Sequence, residues 1–93
     1  MNTETYASVW DAIADTEQEA ANLKARAALF HAIRKTVEGW GVPQEAAARR
    51  LGLTRPRLND LLRGKLAKFS LDALVNIAAA AHLEVEIRVS EAA

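Results

Sequence analysis

Cysteine is absent from all 93 residues, which removes disulfides and thiolate metal ligands and fits a reducing compartment. Glycine occurs only four times and proline twice, too rarely for a disordered or loop-dominated chain. No stretch approaches the roughly eighteen apolar residues of a membrane span, and the acidic N-terminus has no basic region leading into an apolar run; the expected address is the cytoplasm. Net charge is zero as well. What is present is 51% apolar, rich in alanine and leucine, the composition of one mainly helical domain, too small for an enzyme with a deep, many-sided pocket.

The zero net charge hides a segregation. Residues 1–22 carry five acids and no base, residues 23–68 carry eleven bases against three acids, and residues 69–93 carry four acids and one base, Arg88. So uneven a division points to an anionic partner for the centre of the chain.

Periodicity divides the chain into an acidic amphipathic arm (residues 1–15), a helical body (16–82) and a terminal strand (83–90). In the arm, Val9, Trp10 and Ile13 are compatible with one helical face. Thr16 to Glu19 has the order of a capping box, opening one long helix with an apolar seam of Ala20, Leu23, Ala27, Phe30, Ile33, Val37 and Trp40; Gly39 and Gly41 end it. A short helix follows from Gln44 to Leu51 after Pro43, its inner side made by Ala47, Ala48 and Leu51. Gly52 stops that helix and Thr54 caps the next, Arg55 to Arg63, in which Leu58, Leu61 and Leu62 face inward. Gly64 and a basic loop from Lys65 to Phe69 lead to Ser70, the cap of a fourth helix, Leu71 to Ala81. The period then changes to two: Leu83, Val85, Ile87 and Val89 share one face of a strand, Glu84, Glu86 and Arg88 the other. No second strand is apparent to satisfy its edge, so pairing with the same strand of a second chain across a two-fold axis is expected, making those four apolar residues a dimer interface; a dimer through the long helix is the competing arrangement.

Two short helices joined by Gly52-Leu53-Thr54 fit a helix-turn-helix unit, whose second helix enters the major groove while the first crosses the phosphate backbone. Arg55, in the first turn of the second helix, can reach guanine acceptors in a bidentate manner; Arg57 and Arg63, farther round, suit phosphate. Gln44, Ala48, Gly52, Thr54, Leu58, Leu61 and Gly64-Lys65 resemble the pattern of the lambda-repressor/Cro-like, or XRE-type, helix-turn-helix family. The resemblance implies a lambda-repressor-like bundle of four helices with base contacts by Thr54, Arg55, Pro56 and Asp60, and phosphate contacts by Gln44, Arg57, Arg63 and Lys65. It is best over residues 43–65 and extends to about 23–82. Two positions depart from the family: Pro43 stands where a capping serine or threonine is common, and Pro56 has no polar head for base readout, leaving contact with a thymine methyl. Asp60 could accept from cytosine, hold Arg55, or simply stand in solvent.

The "SVWDAI" arm, the long helix with Ala27 and Leu29, the "FSLDALVNIAAA" helix and the "LEVEIRV" strand are similar to those of short XRE-type proteins that include HigA-like antitoxins. That resemblance implies a prokaryotic repressor bound to a DNA operator with two half-sites, nucleoid-associated when bound, and paired with a small basic toxin protein that the acidic arm would contact; a stand-alone regulator with no toxin has the same body. Nothing in the sequence suggests catalysis or a cofactor. His31 and His82 stand far apart without a carboxylate cluster, which argues against a metal site, and Ser70 is explained by capping. Trp10 and Trp40 suit a core or a subunit seam.

Overall fold

The computed structural model of the chain describes residues 16–91; the expected arm, with Val9, Trp10 and Ile13, lies outside them. Within these residues the order is α1 (Glu17–Trp40), α2 (Gln44–Leu51), α3 (Arg55–Leu62), a 3-10 turn (Leu66–Lys68) and α4 (Leu71–Ala80). The turn falls in the basic segment expected to be a loop.

Local chemistry sets the starts of these helices. Thr16, Thr54 and Ser70 each turn a side-chain oxygen to the amide three residues on, at 3.0, 3.2 and 3.1 Å, satisfying a first-turn donor that has no intrahelical acceptor. Pro43 makes no such bond, but its φ of −61° and ψ of 154° lead the chain into α2. The ends of α2 and α3 share one device. After α2, Gly52 donates to the Arg49 carbonyl at 3.2 Å and Leu53 to that of Ala48 at 2.9 Å; after α3, Gly64 donates to Leu61 at 3.0 Å and Lys65 to Asp60 at 3.1 Å. This pairing requires the left-handed backbone, here φ 69° at Gly52 and 71° at Gly64, where a Cβ is strained. The space around both glycines is open, so their φ angles and not crowding call for glycine.

The seam read from α1 is buried at Ala20, Ala27, Phe30, Ile33 and Val37, while Leu23 and Trp40 are half-buried. It packs along α4, and α2 packs on α3. Ile33, Leu58, Leu61 and Leu74 have no exposed surface and Phe69 almost none; truncating such a leucine to alanine costs about 2–5 kcal/mol. Ala47 and Ala48, 1% and 4% exposed, keep α2 close to its neighbours. At the end of α1, Trp40 is covered by the guanidinium of Arg50 from α2, 4.9 Å from the ring centroid.

α4 closes with the same pair of bonds as α2 and α3, His82 to Ala79 at 3.0 Å and Leu83 to Ala78 at 2.9 Å, although the left-handed position is held by His82 with φ 62°. Beyond it the expected strand is not formed: residues 83–91 carry no regular secondary structure. A strand exists only as a partner in a ladder, and no other extended segment among the described residues offers one.

Candidate nucleic-acid interface

Burial of Leu58 and Leu61 orients α3, because residues on the opposite side of a helix must then face outward. Thr54, Arg55 and Pro56 are exposed at the start of α3, Arg63 and Lys65 are exposed just past its end, and Gln44 is exposed at the first position of α2. Six of the eight residues expected at DNA therefore lie on the surface of the two-helix unit. The other two, Arg57 and Asp60, are half-buried, and Lys65 shares an ion pair with Asp60.

Arg57 is half-buried, with its guanidinium 3.9 Å from the centroid of the Phe69 ring and Nη1 donating to the Lys68 carbonyl at 2.7 Å. The Phe69 ring also meets Phe30 edge-on, centroids 5.3 Å apart and planes at 88°. From the α1 side, Arg26 Nη1 donates to the Leu66 carbonyl at 2.7 Å and to that of Phe69 at 3.3 Å, while its Nε donates to Asn22 Oδ1 at 2.6 Å. Two arginines from different helices thus hold three carbonyls of the turn after α3, a planar-fork task for which lysine is poorly suited. Arg57, expected at the phosphate backbone, is turned onto this frame. Arg26 lies forty residues from its main acceptor, and no local pattern in the sequence marks such a pair.

Asp60 does not hold Arg55. Its Oδ1 lies 3.3 Å from Lys65 Nζ and its Oδ2 3.3 Å from Lys68 Nζ, with the Asp60 side chain 20% exposed. Partial desolvation pushes the Asp60 carboxyl up, but hydrogen bonds and charge from Lys65 and Lys68 outweigh it and hold the group below its ordinary value. The carboxylate draws both lysines to the flank of α3. Lys68 was absent from the expected phosphate contacts, and its link to Asp60 forms only because the 3-10 turn brings the loop back to the helix.

Such a frame presents the start of one exposed helix beside a second short helix and a basic flank, the architecture of a helix-turn-helix DNA-binding module. The chain belongs to the helix-turn-helix domain family, whose model matches residues 12–90. It is on that ground a DNA-binding regulator. No curated protein matches the chain. Among the described residues no helix is long and apolar enough to cross a membrane, and no group of three or more histidines, aspartates or glutamates is placed to hold a metal ion.

Proposed function

We propose that the chain is a sequence-specific transcriptional repressor that acts as a homodimer on an operator with two half-sites. The observation that carries this reading is the exposed start of α3, Thr54, Arg55 and Pro56, on a helix whose other face is fully buried. Arg55 reads guanine, Pro56 lies against a thymine methyl, and Thr54 completes the base-facing set. Gln44, Arg63 and Lys65 contact phosphate. Arg57 fixes the attitude of α3 through Phe69, and Asp60 orders Lys65 and Lys68 instead of meeting a base. The dimer forms through Leu83, Val85, Ile87 and Val89; the 37%, 82% and 87% exposure of the last three supports this reading, since an uncovered apolar face suits a partner surface.

In the finer reading the regulator is the antitoxin of a type II toxin-antitoxin pair in a prokaryotic cytoplasm, repressing its own operon and binding a small basic toxin. Five acids and no base in residues 1–22 support this partner. Selection from a pool of random duplexes tests the first reading: enrichment of a two-fold symmetric site supports it, and uniform recovery of all sequences rejects it. Co-expression with the product of the adjacent gene tests the second. A stoichiometric complex with a basic protein, lost when residues 1–15 are removed, supports the antitoxin; specific DNA binding with no such complex leaves a stand-alone regulator.

A further inference from the structure

The terminal segment is more than an unpaired edge. Leu83 is tied to α4 by its bond to Ala78, and from residue 84 to 91 no backbone hydrogen bond joins the segment to the other described residues. Exposure of its apolar face climbs away from that anchor, from half-buried Leu83 to 37% at Val85, 82% at Ile87 and 87% at Val89. The near end borders a groove of about 490 Å³ floored by Ala28, Leu29 and Ala32 of α1 and Val75 of α4. The far end is without cover.

If a second copy supplies that cover, charge chooses the register. Two-fold antiparallel pairing places each residue opposite one whose number is set by the residue on the axis, and residues directly opposite share a face. The apolar faces coincide only when the axis passes through a residue, because a half-step mixes the two faces. Centring on residue 84 sets Glu84 against itself; centring on 85 sets Glu84 against Glu86; centring on 88 sets Arg88 against itself; centring on 86 pairs Glu84 with Arg88 but brings the two copies of Glu86 face to face on the axis. Centring on Ile87 sets Glu86 of each copy against Arg88 of the other, Val85 against Val89, and Ile87 against Ile87. It also gives every residue of 83–91 a partner, with Glu84 opposite Ser90 and Leu83 opposite Glu91 at the two ends. A two-stranded ribbon is marginal alone, and the groove floor gives it an apolar surface to lie on.

We propose that two copies of this chain join through residues 83–91 as an antiparallel ribbon centred on Ile87, with two Glu86–Arg88 pairs on its outer face. The proposal rests on the strand-dimer reading above and adds its register. Because the chain has no cysteine, single-cysteine variants report it cleanly. Opposed residues on the axis have Cα atoms about 4.5–5.5 Å apart, within disulfide reach, so Ile87→Cys gives a covalent dimer under mild oxidation. Val85→Cys alone and Val89→Cys alone do not, since each then lies about 13 Å along the ribbon from its copy; the Val85→Cys/Val89→Cys double variant does. Glu86→Arg or Arg88→Glu lowers dimer association about tenfold, and combining them restores it. Cross-linking by Val85→Cys or Val89→Cys alone overturns the register while keeping the strand interface. A dimer in sedimentation that cross-links at none of these positions overturns the strand interface itself, and a wild-type monomer overturns both. All three sites are at least 37% exposed, and an unchanged helical circular dichroism spectrum verifies that each variant folds.

Discussion

The Asp60 carboxylate stands among the cations towards the end of α3, and its removal separates two uses of charge. Asp60 holds Lys65 and Lys68 at 3.3 Å each and at the same time cancels part of their attraction for phosphate. Asp60→Asn therefore raises affinity for random duplex and steepens its dependence on salt by about one counterion, as a titration at several salt concentrations would show; an unchanged slope would mean that both lysines stay away from DNA. The same pair sets a pH dependence. The folded carboxyl is held below its ordinary value, so its contribution to stability is complete above the unfolded value of about 4 and is lost as pH falls through the folded value. The difference in urea midpoint between wild type and Asp60→Asn should accordingly shrink as pH is lowered below about 4. Among the arginines, Arg55→Ala should remove about 1–3 kcal/mol of preference for operator over random duplex, whereas Arg63→Ala weakens both duplexes and reduces the salt slope by about one. Arg57→Gln keeps a donor for the Lys68 carbonyl but drops the charge. If Arg57 positions the helix, that variant retains the wild-type salt slope; a slope reduced by about one returns it to the phosphate backbone.

At the scale of elements, the chain reversal after a helix matters as much as the helix. The three reversals after α2, α3 and α4 use the same bonds, but the last places His82 at φ 62°. A residue with a Cβ is strained there by about 1–2 kcal/mol, and glycine gives back about 0.5–1 of that relief through its freer unfolded chain. His82→Gly should stabilise the domain by about 0.5–1 kcal/mol, a rise of a few degrees in thermal midpoint. No change on calorimetry would mean that the imidazole makes a compensating contact. The arginine frame joins three elements into one body: Arg26 on α1 and Arg57 on α3 hold the turn at Leu66–Lys68 from two sides, and Phe69 is packed between Phe30 and Arg57. Through it the long helix, distant in sequence from α3, bears on the attitude of that helix.

At the scale of the molecule, one copy presents one recognition helix, and a two-fold dimer presents two for half-sites about 34 Å apart. Once one half-site is held, the second binds at a high effective concentration. Replacing Val85 and Ile87 together by glutamate should give a folded monomer in sedimentation and reduce operator affinity far more than affinity for a single half-site. Equal losses on the two duplexes would separate dimerisation from DNA binding.

Much of this was legible in the sequence because it depends on neighbours along the chain. Thr16, Thr54 and Ser70 cap helices by reaching three residues ahead, Gly52 and Gly64 end them through their own φ, and the leucines of α3 face inward by helical spacing alone. The exposed start of α3, and with it the candidate base-reading set, derives from those local rules. Tertiary structure alone decided the rest. That Arg57 lies against Phe69, that Asp60 pairs with two lysines and not with Arg55, and that Arg26 reaches the Leu66 carbonyl all depend on the position of the turn after α3. A long charged side chain takes whichever partner the fold brings near, and that partner can be forty residues away. Alternation in residues 83–89 marks a face for burial in the same local way, but a ladder needs a second strand, which the described residues of one chain do not supply.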